Sequence, residues 1–224
     1  VEALIIPFLK ALVLVPVTLL PIINPLTTAP VFVSMFGSNR AVAKRLARQI
    51  AINSWFIMVV SMLAGNHVLA LFGISLPVVR LGGGLLVAAA GWRMLNRTEE
   101  DDVHAAAAEE AAGLSDAEVA RRSFFPLTFP LTTGPGTIAA SIALGTQIPT
   151  KPFLVYLAGN VAVACGAVLV SLTLYFLFKN AASVLKRLGE VGTLVMIRLM
   201  AFILLCIGIQ IMWTGWAELN SAAQ

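Results

Sequence analysis

Apolar stretches of membrane-crossing length, bare of charge, constrain this chain more than any other feature. Between Lys10 and Arg40, between Arg122 and Lys151, and over residues 153–178, no side chain carries a formal charge. A straight helix needs about 20 such residues to cross ~30 Å of hydrocarbon. In lipid the backbone must bond to itself, so each run is expected as a helix. Of the 224 residues 59% are hydrophobic and only 12% are charged, against about 25% charged in soluble domains. That excludes a soluble globular fold.

Two of these stretches repeat each other. Pro21-Ile-Ile-Asn-Pro25-Leu-Thr-Thr-Ala-Pro30 aligns without gaps with Pro126-Leu-Thr-Phe-Pro130-Leu-Thr-Thr-Gly-Pro135, and six of the ten positions are identical, three of them prolines. Apolar composition alone does not produce that match, so the chain is read as an internal duplication. Proline lacks an N–H and clashes with the carbonyl four residues back. Helices crossing at Pro25, Pro30, Pro130 and Pro135 are therefore expected to break, and both clusters fall near mid-membrane. A matched pair of interrupted segments in two halves points to a transporter's binding site.

The remaining crossings are expected over residues 49–72, 77–95, 153–178 and 194–217. The fold class is then all-α: a polytopic membrane protein of six transmembrane helices, built as a 3+3 inverted-topology repeat. Residues 1–95 form the first three-helix repeat, 96–122 a polar cytoplasmic linker with the run Glu99-Glu-Asp-Asp102, and 123–224 the second repeat. Gly82-Gly-Gly84 lets a neighbouring backbone approach closely and is no phosphate loop, because no Lys-Ser/Thr follows. His67 reads as a solvated loop residue, and Cys165 and Cys206 as small apolar packing residues. The N-terminus offers no basic n-region or cleavage site of a signal peptide.

Basic residues orient a membrane protein by gathering in its cytoplasmic loops. The six-span arrangement puts eleven of them on the cytoplasmic face (Arg40, Lys44, Arg45, Arg48, Arg93, Arg97, Arg121, Arg122, Lys179, Lys186 and Arg187), against Lys10, Arg80 and Lys151 opposite. Both termini are thus expected on the non-cytoplasmic side. The net charge of +4 sits at helix ends and does not indicate a nucleic-acid partner. Arg80-Leu and Arg198-Leu open equivalent spans and are expected to anchor helix ends to lipid phosphate.

With these residues laid out, the chain resembles the MarC family of bacterial inner-membrane proteins, also called the small neutral amino acid transporter (SnatA-like) family. The matching pieces are Asn24-Pro-Leu-Thr-Thr28 with Phe32, Phe72-Gly-Ile-Ser-Leu-Pro77, Arg80-Leu-Gly-Gly-Gly-Leu, Thr133-Gly-Pro-Gly-Thr137 and Arg198-Leu-Met. The resemblance covers nearly the whole chain. It implies an inner-membrane inverted-repeat transporter of glycine, alanine and similar amino acids, with Na+ or H+ as coupling cation. Where Leu26-Thr27 stands, other branches carry a glycine after the first residue, inside the expected site.

From the residues themselves, half-helix N-termini suit a substrate carboxylate. The hydroxyls of Thr27, Thr28, Thr132 and Thr133, with exposed carbonyls, suit an ammonium group. Gly134 and Gly136 let a ligand approach the backbone, and Asn24, Asn53 and Asn160 supply orienting amides. The solute would cross by alternating access. No carboxylate falls in the middle of an expected span, so an intramembrane acid relay has no candidate. A channel, or a scaffold acting through the 96–122 linker, is the rival reading. No nucleophile–base pair, metal cluster or cofactor fingerprint points to an enzyme. The expected partners are a small neutral amino acid and the bilayer, with a homo-oligomer allowed.

Overall fold

The computed structural model describes residues 2–36, 39–96, 121, 123–148 and 152–222. Among them all regular structure is helical: α1 (Glu2–Ile23), α2 (Pro25–Phe36), α3 (Arg40–Leu71), α4 (Leu76–Leu95), a π segment (Ser123–Thr132), α5 (Pro135–Gly145), α6 (Phe153–Lys179) and α7 (Ala181–Ala222). Four stretches are long and apolar enough to cross a membrane: α3, α4, α6 and Val191–Ser221 of α7. The first and fourth crossings expected from sequence are each divided between two shorter pieces, α1 with α2 and the π segment with α5. Of the linker 96–122, only Asn96 and Arg121 fall within the described residues.

Helix ends follow local chemistry. Asn39 caps α3, its Oδ1 accepting from the N–H groups of Ala41 at 3.1 Å and Val42 at 3.2 Å, which satisfies donors that have no intrahelical partner. At the other end Gly73 turns left-handed (φ 66°), and Ile74 N–H returns to Leu69 O at 2.9 Å, the closure expected of a glycine C-terminal cap. Gly189 (φ 69°, ψ 177°) interrupts α7 in a conformation essentially reserved for glycine.

The breaks differ from expectation. Each repeated motif contains one interruption, not a broken stretch from proline to proline. In the first, Asn24 adopts φ 45°, which asparagine tolerates better than most residues. Proline disfavours the α region for the residue before it, so Pro25 ends α1 and then heads α2, where a missing N–H costs nothing. Pro30 lies inside α2. In the second, Pro130 lies inside the π segment, and the break comes at Thr133–Gly134, with Pro135 heading α5.

Since Pro25 aligns with Pro130 and Pro30 with Pro135, equivalent prolines play opposite parts. Wide-turn bonding carries the second copy past Pro130. Thr133 N–H donates to Thr128 O at 2.6 Å, and the hydroxyls of Thr128 and Thr132 donate to the carbonyls of Ser123 at 2.6 Å and Leu127 at 2.7 Å, each five residues back. Local π geometry of this kind often marks functional sites.

Packing comes in matched pairs across the two halves. Helix α4 lies along α7, and α3 lies along α6. Helix α1 packs on α6 as the π segment packs on α3, and α2 packs on α7 as α5 packs on α4. The core between them includes Leu19, Phe32, Phe36, Leu46, Ile50, Met58, Val170 and Leu174. Phe32 sits between Phe36 and Phe178, with ring centroids 6.1 and 5.1 Å away.

Helices α4 and α7 touch through glycine. A Cβ on Gly84 would lie 2.7 Å from Gly208 O, one on Gly91 2.5 Å from Leu205 N, and one on Gly215 2.7 Å from Pro77 O. The two expected lipid anchors instead join this pair at opposite ends. Arg80 of α4 forms an ion pair with Glu218 of α7, and Arg198 of α7 donates to the Leu95 carbonyl of α4. The fixed donor fork of a guanidinium suits such carboxylate and carbonyl partners.

Candidate functional site

Both interruptions open into one cavity of about 830 Å3. The first contributes Ile22, Ile23 and Asn24, with Thr28 and Val31 following on α2; the second contributes Thr132, Gly134, Pro135, Gly136 and Thr137. Helix α4 closes one wall with Leu86, Val87 and Ala90, then carries the cavity to its own C-terminal end through Trp92, Arg93, Met94 and Asn96, while Leu204 reaches in from α7.

Of the residues expected to bind substrate, Asn24, Thr28, Thr132, Gly134 and Gly136 are therefore brought together. The others are elsewhere. Thr133 is fully buried and its hydroxyl donates to Ser54 Oγ at 2.8 Å. Asn53 lies on α3 and does not line the cavity, and Asn160 turns its amide back to Tyr156 O of its own helix at 2.8 Å. The Thr27 side chain lies outside what the structure describes.

Inside the cavity, two of the threonine hydroxyls are already engaged as donors. Thr28 donates to Pro25 O at 3.1 Å, and Thr132 to Leu127 O at 2.7 Å. Their protons repair helix ends, leaving lone pairs to face a ligand. Gly136 has a packing reason to be glycine, since a Cβ there would collide with Val87.

The α5 N-terminus lacks a side-chain cap and borders the cavity. Gly134 stands at the cap position (φ −82°, ψ −178°) with no side-chain cap. The first hydrogen bond to close runs from Ile138 N–H to Gly134 O at 3.1 Å. The preceding N–H groups, those of Gly136 and Thr137, belong to the turn that has no intrahelical acceptor. Thr137 is 2% exposed, lines the cavity, and its hydroxyl makes no hydrogen bond within the described residues. The threonine-glycine-proline-glycine-threonine motif contained this residue, but its position in the α5 first turn becomes visible only in the fold.

Electrostatically the lining is one-sided. It contains one charged residue, the exposed Arg93, and no carboxylate. Each interruption also sets a helix C-terminus, with partial negative charge, beside a helix N-terminus, with partial positive charge. The site can thus receive a carboxylate at α5 and an ammonium group at the carbonyl end of α1. Among the described residues no group of three or more His, Cys, Asp or Glu could hold a metal ion.

Two interrupted helices facing one cavity, within a bundle of helices fit to cross a bilayer, define the class: an integral membrane protein with an internal polar site. The chain belongs to the MarC family, whose model, described as MarC family integral membrane protein, matches residues 9–219. It is 33% identical over 222 residues to the inner membrane protein MarC of Citrobacter koseri, covering 94% of this chain and 96% of the relative. The inner membrane protein MarC of Escherichia coli K12 is 34% identical over 211 residues, with the same coverage, and that of Salmonella typhimurium 32% over 222 residues. No solved structure matches the chain.

Proposed function

We propose that this protein is a carrier of small carboxylate-bearing solutes, small neutral amino acids foremost, across the bacterial inner membrane. Its carrying observation is the convergence of both interruptions on a single cavity. Helices broken at mid-membrane, with backbone ends turned to a shared space, are how secondary transporters build substrate sites. The matched packing of the two halves supports six crossings arranged as two inverted repeats, residues 1–95 and 123–224 joined by the 96–122 linker. The relatives are named inner membrane proteins, which supports that location.

The substrate carboxylate is bound by the N–H groups of Gly136 and Thr137 and the Thr137 hydroxyl, in the cavity that Asn24 also lines. The ammonium group is held by the α1 carbonyls about Ile22 and Ile23. The cavity extends to the α4 end carrying Arg93, which the basic-residue distribution assigns to the cytoplasm, so the conformation is inward-facing and both termini are outside the cytoplasm. Cation coupling, by Na+ or H+, uses hydroxyl and carbonyl ligands or the substrate's own charge. No chemical transformation is assigned.

The test is uptake of glycine and alanine into proteoliposomes. The reading expects saturable flux with counterflow, competed by other small amino acids. Single-channel currents without saturation, or the absence of both binding and flux, would overturn it.

A further inference from the structure

A second, smaller cavity of about 390 Å3 lies on the outer surface between α3 and α6. The two helices run antiparallel there: Arg48 shares the cavity with Tyr175, and farther along Trp55 Nε1 donates to Ala164 O at 3.3 Å. That bond holds the indole in place as a wall. Ile52 and Leu172 supply exposed apolar sides, while Ala51 and Ser171 lie buried at the bottom, the Ser171 hydroxyl without a hydrogen-bond partner.

The two ends differ in character. Arg48 is exposed at one end, and the Tyr175 ring that shares this end with it carries Lys179 Nζ 5.6 Å from its centre, within cation–π range. Lys44 lies one turn before Arg48 on the exposed side of α3. No carboxylate lines the cavity. From Arg48 to Trp55 the helix rises ~10 Å, which carries the groove from the headgroup level into the acyl region. A lone snorkelling cation needs only water or any phosphate. Here a cation-rimmed, aromatic-walled hollow runs along α3 and α6, two helices long and apolar enough to cross a bilayer.

We propose that this groove is a binding site for one anionic phospholipid, its phosphate at the Arg48 end and one acyl chain along Ile52, Trp55 and Leu172. A zwitterionic lipid would bring its ammonium to the same cations, so the site discriminates by headgroup charge. This site is separate from the central cavity and does not depend on transport.

The test uses the purified full chain, delipidated in neutral detergent and titrated with dioleoyl phosphatidylglycerol or dioleoyl phosphatidylcholine, with bound lipid read by native mass spectrometry and thermal stability in parallel. One phosphatidylglycerol is expected to be retained in preference, with a higher melting temperature. Arg48→Gln and Lys179→Gln should each weaken retention roughly fivefold, while leaving the lipid-free melting temperature unchanged. Leu172→Trp, which puts a larger side chain across the groove, should remove retention of both lipids. Equal retention of the two lipids, an unchanged preference in the Arg48→Gln/Lys179→Gln double variant, or displacement of the lipid by inorganic phosphate would each overturn the proposal.

Discussion

Threonine is the residue type on which the site turns, and its copies do three different jobs. Thr132 and Thr28 close helix ends, Thr133 ties a break to Ser54, and Thr137 alone among these faces the cavity with an unused proton. Thr137→Val keeps shape and removes the hydroxyl, so it should lower affinity for a carboxylate solute about tenfold with the ligand-free melting temperature unchanged, as calorimetry and thermal denaturation would record. Thr133→Val should do the reverse, costing about 1 kcal/mol of stability with little change in affinity. Gly136→Ala drives a methyl into Val87. It should destabilise the fold, and Val87→Ala in the same chain should restore it, a coupling that a double-mutant cycle measures. Asn24, Thr28, Thr132, Gly134 and Gly136 line one cavity, and sequence could single them out because their positions relative to proline are local facts. It could not separate Thr133 from Thr137, since which side of an interrupted helix faces the ligand depends on neighbours distant in the chain.

At the level of elements, the three consecutive glycines of α4 divide three surfaces among them. A Cβ on Gly82 would meet nothing within 4 Å, one on Gly83 would strike Ala139 of α5, and one on Gly84 would strike α7. Gly82→Val should therefore leave the melting temperature nearly unaltered. Gly84→Val and Gly208→Val should each cost about 1–3 kcal/mol, the range for overpacking a close contact, and a thermal shift in detergent distinguishes the two cases. The triple glycine was legible as a site of close approach, but its partners were not. Arg80 and Arg198 were likewise legible as an equivalent pair, while their attachment to Glu218 and Leu95 depends on α4 and α7 lying antiparallel, which periodicity does not encode.

For the molecule as a whole, the open direction of the central cavity is the property to test. Ala90 lines it and lies one turn from the exposed mouth residues Trp92 and Arg93. In a chain whose Cys165 and Cys206 are replaced by serine, Ala90→Cys should react with an impermeant maleimide applied from the cytoplasmic side and be protected from the other; labelling only from outside would reverse the proposed orientation. The helical class and the interrupted segments were readable because lipid leaves few backbone options. The five-residue offset between the two interruptions was not, because Pro25 and Pro130 both precede Leu-Thr-Thr and still meet opposite fates, differing at the joint only in Asn24 against Phe129. That offset gives the two halves different shapes around the same motif. Were they to trade shapes during a transport cycle, residues 18–27 would swell into the broad coil now seen at Ser123–Thr132. The fracture would then migrate from Asn24 to Thr28–Ala29, and Pro30 would take over from Pro25 as the first residue beyond it. A spin label reporting separation across Asn24 would register that travelling fault, and solute release would be timed by where the seam lies.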